Sequence, residues 1–90
     1  MKSSNVIERQ ETLSKIYPNP VHNLLTIERI NSTPEILKIT NQLGQITYIN
    51  TFQEGELTKQ IPMENQSSGI YFIKILYNDD VSEFYKFVKK

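Results

Sequence analysis

The sequence predicts an all-β domain, an immunoglobulin-like antiparallel β-sandwich of about seven short strands. Three observations lead there. Ile, Val and Thr supply 23 of the 90 residues, Tyr and Phe another 9, and alanine is absent. β-Branched and aromatic side chains suit a pleated sheet, and the best helix former is missing. Apolar and polar residues alternate with period two along several runs, and turn residues interrupt those runs about every 8 to 12 residues, the rhythm of a sandwich or barrel.

Each element can be justified in turn. Residues 1–12 read as a linker, polar apart from Val6 and Ile7. Asn5 and Glu8 have capping-box spacing for one or two helical turns, which no apolar stripe supports. The domain proper is assigned to residues 13–90. Ser14 to Tyr17 is a short edge strand stopped by Pro18-Asn19-Pro20, since two prolines remove two backbone donors. Leu24 to Ile30 follows, with Leu25 and Ile27 on one face and Thr26 and Glu28 on the other. Asn31-Ser32-Thr33-Pro34 turns the chain into Ile36–Thr40, where Leu37 and Ile39 alternate with Lys38.

Asn41-Gln42-Leu43-Gly44 is the clearest hairpin signal. The Asn41 side chain can accept bonds from the turn backbone, and Gly44 tolerates the positive φ of a type I turn followed by a left-handed residue. The returning strand is expected to hold Ile46, Tyr48 and Phe52 on one face. Leu57 to Ile61 forms the next strand, and Pro62 to Ser68 a crossover between sheets. Gly69 to Tyr77 is apolar on both faces, with Tyr71, Ile73, Ile75 and Tyr77 on one and Ile70, Phe72 and Leu76 on the other. Such a strand is central or half-covered on its second face. Asn78-Asp79-Asp80 turns into a closing strand from Val81 to Val88, in which Phe87 and Val88 are expected to seal the core.

Composition restricts function. Ten basic and ten acidic residues balance, so no global field draws the chain to nucleic acid or anionic lipid. Without cysteine there is no disulfide framework, thiolate nucleophile or cysteine metal site. Met1 to Asn5 is not followed by an apolar run of the signal-peptide kind, and Ile70 to Tyr77 is too short to span a bilayer. His22 is the single histidine and reads as a turn residue. Asp79, Asp80 and Glu83 lie close together, but their spacing fits a tight turn better than a calcium loop. No catalytic constellation, cofactor site or metal site is expected.

Taken together, several motifs resemble the C-terminal sorting domain carried by type IX secretion cargo of Bacteroidota. Ile16-Tyr17-Pro18-Asn19-Pro20 resembles the family's opening motif, and Leu25-Thr26-Ile27 the strand after it. Ile39 to Gln45, with Gly44, is similar to its central hairpin. Ser68-Gly69-Ile70-Tyr71-Phe72-Ile73-Lys74 resembles its Gly-x-Tyr strand, and Lys86-Phe87-Val88-Lys89-Lys90 its basic, apolar finish. Two positions depart from the pattern. Gln45 stands where the family usually has Lys or Arg, and Gln66 where it places the leucine of a Leu-Pro pair.

The resemblance implies a non-enzymatic signal that directs a covalently linked N-terminal cargo domain across the outer membrane. Type IX translocon components would read it, and a sortase would then remove it, cutting within residues 1–15. It also implies that the cargo ends at the cell surface or in the medium. The signal would be carried by Pro18, Asn19, Pro20, Gly44, Gly69, Tyr71 and Lys86 to Lys90, with Lys86 and Lys90 as contact residues. The alternative is an immunoglobulin-like adhesion or glycan-binding module using Tyr48, Tyr77 or Tyr85 as a stacking platform.

Overall fold

A computed structural model describes residues 14–30, 32–77 and 80–90. The expected linker, the Asn5–Glu8 capping box, Asn31 and the turn residues 78–79 lie outside the described residues. Seven strands run in order: β1 (Ser14–Tyr17), β2 (Leu24–Arg29), β3 (Glu35–Asn41), β4 (Ile46–Phe52), β5 (Thr58–Pro62), β6 (Gly69–Tyr77) and β7 (Asp80–Lys89). They form a three-stranded sheet ordered β1-β2-β5 and a four-stranded sheet ordered β4-β3-β6-β7. Every strand pair within the sheets is antiparallel. The arrangement is immunoglobulin-like, with the fourth strand paired to the third.

Alternation along the strands builds the core, as expected. Leu25, Ile27 and Ile61 of the smaller sheet face Leu37, Ile39, Phe52, Ile73, Ile75 and Phe87 of the larger one, all buried. Each such side chain contributes about 1.5–3 kcal/mol by leaving water. Central β6 is apolar on both faces because both are covered in part: Tyr71, Ile73 and Ile75 point inward, while Ile70, Phe72 and Leu76 are half-buried outside.

Three expectations change, and for the first the cause is a bulge that resets the period-two pattern. Between Ile39 and Thr40 the β3–β4 register slips, so Tyr48 opposes Ile39 but Ile46 opposes Thr40. Ile46 therefore leaves the core face shared by Tyr48 and Phe52 and is 55% exposed. Tyr77 is the last residue of β6 and is exposed there rather than buried with Tyr71, Ile73 and Ile75. A second slip, opposite Ile75 and Leu76, puts its extra residue in β7 and leaves the alternation of β6 intact. Val88 pairs with Ile70 on the outer face and is only half-buried, so Phe87 seals the core without it.

The charged residue that sequence reasoning passed over is Arg29, buried at the end of β2. Its guanidinium pairs with the Glu35 carboxylate at 2.7 Å, and both side chains are wholly buried. It also donates to the carbonyls of Thr33, Gln53 and Glu56, and lies 4.2 Å from the centroid of the Phe52 ring. One side chain thus ties the smaller sheet to the β2–β3 turn, to the β4–β5 loop and to β3.

Candidate functional site

The strand registers carry the motifs to one end of the sandwich. Gly69 pairs with Lys89, Tyr71 with both Asn41 and Phe87, and the Asn41–Gly44 turn closes β3 at that same end. The smaller sheet contributes the stretch from Pro18 to Val21. Its peptide bonds Tyr17–Pro18 and Asn19–Pro20 are both cis. Segments nearly seventy positions apart in the chain therefore become neighbours.

The contact between the first and last motifs is specific. β7 is an edge strand, and its outward backbone groups would otherwise be unpaired. Asn19 Oδ1 accepts from the Val88 N–H at 3.0 Å. Val21 then donates to the Val88 carbonyl at 2.8 Å and accepts from the Lys90 N–H at 2.9 Å, forming a parallel bridge with Lys89. Prolines suit this stretch because they turn the chain onto the edge without adding donors of their own. Val21 itself is fully buried.

The basic finish is less uniform than a solvated tail. Lys86 and Lys90 are exposed, whereas Lys89 is only 8% exposed. Inward alternation from Phe87 brings Lys89 to the core side, where its stem packs and its ammonium donates to the Lys90 carbonyl at 2.9 Å.

The turn signal is fulfilled in detail. Asn41 Oδ1 accepts from the N–H groups of Leu43 and Gln45 at 2.9 and 3.0 Å, the Gly44 N–H donates to the Asn41 carbonyl at 3.0 Å, and Gly44 sits at φ +83°. Gln45, in the position that departs from the family pattern, accepts from the Asn41 side-chain amide at 2.9 Å. Nothing lies within 4 Å of a β-carbon at Gly44, so a side chain there would meet only backbone strain. Gly44→Ala is expected to lower unfolding free energy by about 1–2 kcal/mol, read as a shift in urea midpoint.

Tyr71 anchors the crossover. Its ring is buried and stacks on Phe87 at 5.5 Å, and its hydroxyl donates to the Ser67 carbonyl at 2.6 Å. Buried Met63 supplies the apolar plug of this segment, and Gln66 stays half-buried beside it. The crossover and the Asn41 turn border a half-open cleft of about 350 Å³ of mixed polar and apolar lining, with Gln42, Asn65, Gln66 and Ser68 beside Leu43 and Ile70.

At β7, Tyr85 accepts the Ser14 N–H at 3.1 Å and donates to Glu83, which is buried rather than turned out beside Asp80. Partial burial, together with the Glu83 carboxylate, pushes the Tyr85 phenol up to about 12. The folded state holds this proton more tightly than the unfolded chain does, so the contribution to stability is complete below pH 10 and declines as pH rises towards 12. Thermal melts across that window are expected to fall with pH, and Tyr85→Phe to flatten part of the fall.

The tyrosines of the adhesion alternative do not come together. Tyr48 lies on β4 and Tyr85 on β7, opposite edges of the larger sheet, and both pack partly against the core. His22 is exposed in the segment before β2. Among the described residues no group of three His, Cys, Asp or Glu could hold a metal ion, and Asp79 lies outside them.

A search of curated proteins gave no match. A family model described as the secretion system C-terminal sorting domain matches residues 15–90, a span that begins inside β1 and takes in every motif brought together at this end of the sandwich. The chain therefore belongs to the secretion system C-terminal sorting domain family, and is a sorting signal of type IX secretion.

Proposed function

We propose that the end of the sandwich where Pro18-Asn19-Pro20 meets Val88-Lys89-Lys90 is the part of the signal that the type IX machinery reads, with Gly44, Gly69 and Tyr71 holding its shape. The family is one of sorting signals and not of enzymes, and it implies export and interaction with that machinery. The observation that carries the finer reading is the three-bond lock of Asn19 and Val21 onto Val88 and Lys90. A receptor that recognises this end tests at once that both ends of the domain are present and folded. Lys86 and Lys90 are its exposed charges, while Phe87 and Lys89 support it from inside. A sortase then cuts within residues 1–15, ahead of or at β1, and the cargo is released or attached to surface lipopolysaccharide.

The test is the full chain fused behind a periplasm-targeted fluorescent protein in a Bacteroidota host with a working type IX system. Surface or medium fluorescence is expected, and it should fall for Asn19→Ala and for Lys86→Gln with Lys90→Gln while the domain stays folded. Unchanged export of these folded variants would move recognition elsewhere on the domain. Retention of the intact, folded parent fusion in the periplasm would overturn the export reading itself.

A further inference from the structure

The outer face of the four-stranded sheet combines exposed apolar side chains with lysines and, among the described residues, carries no carboxylate. Its middle row reads Ile49, Lys38, Lys74, Phe84 across β4, β3, β6 and β7. In the next row Phe72 stands opposite Lys86, and the Phe72 and Phe84 rings stack at 5.9 Å. Apolar residues flank these rows on both sides, Ile36 and Leu76 at one end and Ile70 and Val88 at the other. Ile46, Ile49, Val81 and Phe84 are each more than half exposed. Beside the Asn41 turn a shallow depression of about 260 Å³ opens between Thr40, Gly44, Phe72, Lys74 and Phe84.

Two features of this face are unfavourable for the isolated domain. Lys38 and Lys74 are directly opposed across the β3–β6 pair, and like charges in that position repel. A contiguous exposed apolar patch is also a cost in water unless something covers it. Both penalties vanish if a partner places carboxylates between the ammonium groups and apolar side chains around them.

We propose that this face docks a protein surface in which acidic side chains alternate with apolar ones, the depression beside Phe72 and Phe84 taking an apolar anchor and Lys38, Lys74 and Lys86 pairing with its carboxylates. The arrangement disfavours a lipid surface. A membrane-seated face keeps its apolar centre in the bilayer and its lysines at the rim, whereas here the lysines occupy the middle rows. The proposal deepens the sorting reading and rests on it, adding a second contact surface and its partner's chemistry.

The decisive variant is Lys74→Glu. It turns the opposed pair with Lys38 from repulsive to attractive, so the melting temperature is expected to hold or rise while docking is lost. In the full-chain fusion, export of K74E and of K38E/K74E/K86E should fall by about tenfold relative to the parent, as loss of close interfacial charge pairs predicts. Export equal to the parent overturns this proposal and leaves the sorting reading intact. If the parent itself is not exported, the sorting reading fails and binding to the purified 90-residue chain decides. There the probe is a synthetic peptide alternating Glu and Phe, and salt-sensitive binding lost in K74E supports the face. Absence of peptide binding overturns it. So does binding of vesicles containing phosphatidylglycerol, or a dimer in sedimentation, if either is abolished by K74E.

Discussion

Arg29→Ala is expected to lower the unfolding free energy by about 3–5 kcal/mol, the range for removing one member of a buried ion pair. The variant leaves the Glu35 carboxylate buried with its ion-pair partner gone. It also strips the carbonyls of Thr33, Gln53 and Glu56 of a charged donor and uncovers the Phe52 ring. Since a domain of this size is stable by only about 5–15 kcal/mol, much of the margin disappears. Arg29→Lys should recover little, because a single ammonium cannot reproduce a planar fork aimed at four acceptors. A double variant, Arg29→Met with Glu35→Leu, separates charge from shape. If the pair serves chiefly as a cross-link, the double variant is much more stable than Arg29→Ala, because no buried charge is left behind. Chemical denaturation of the three variants reads these differences, and a loss below 1 kcal/mol for Arg29→Ala would contradict the burial argument.

Phe87→Ala should be nearly as damaging, at about 3–5 kcal/mol. Its ring is fully buried and stacked on Tyr71, which in turn holds the crossover through Ser67. Truncating it opens a cavity between the sheets and loosens the strand whose end is locked to Asn19 and Val21. Val88→Ala, on the half-buried outer face, is expected to cost far less. The contrast bears on function. Removing residues 86–90 as a block takes away buried Phe87 and the end of β7, and is expected to cost folding and signal together, so a loss of export after that deletion does not isolate recognition. Export assays therefore need single exposed positions such as Lys86 and Lys90, with folding checked beside them by circular dichroism and urea titration.

Much of the fold was legible because it rests on local rules. All seven strands appear where period-two alternation and turn residues put them, with ends moved by at most one position. The Asn41–Gly44 hairpin was legible in full, since an asparagine that can cap a turn and a glycine that can take positive φ determine the geometry between them. The buried ion pair had a signal too. Alternation from Leu25 and Ile27 puts Arg29 on the inner face, and alternation back from Ile39 and Leu37 puts Glu35 there. Two opposite charges assigned to the core, close in sequence, imply each other. The same rule puts Lys89 inward after Phe87.

Composition, alternation and turn chemistry determined the fold class, the strand list and, through ordered motifs, the family; these depend on neighbours within a few residues. The bulges came from elsewhere. Whether Ile46 faces the core or water depends on one extra residue in β4, and a one-residue slip reverses the face of everything beyond it. The lock between Asn19 and Val88 and the opposition of Lys38 to Lys74 were decided by the tertiary structure alone. Both join strands distant in the chain, and such pairings are set by how two sheets satisfy their edges and fill their shared core, a condition that no local stretch of sequence contains.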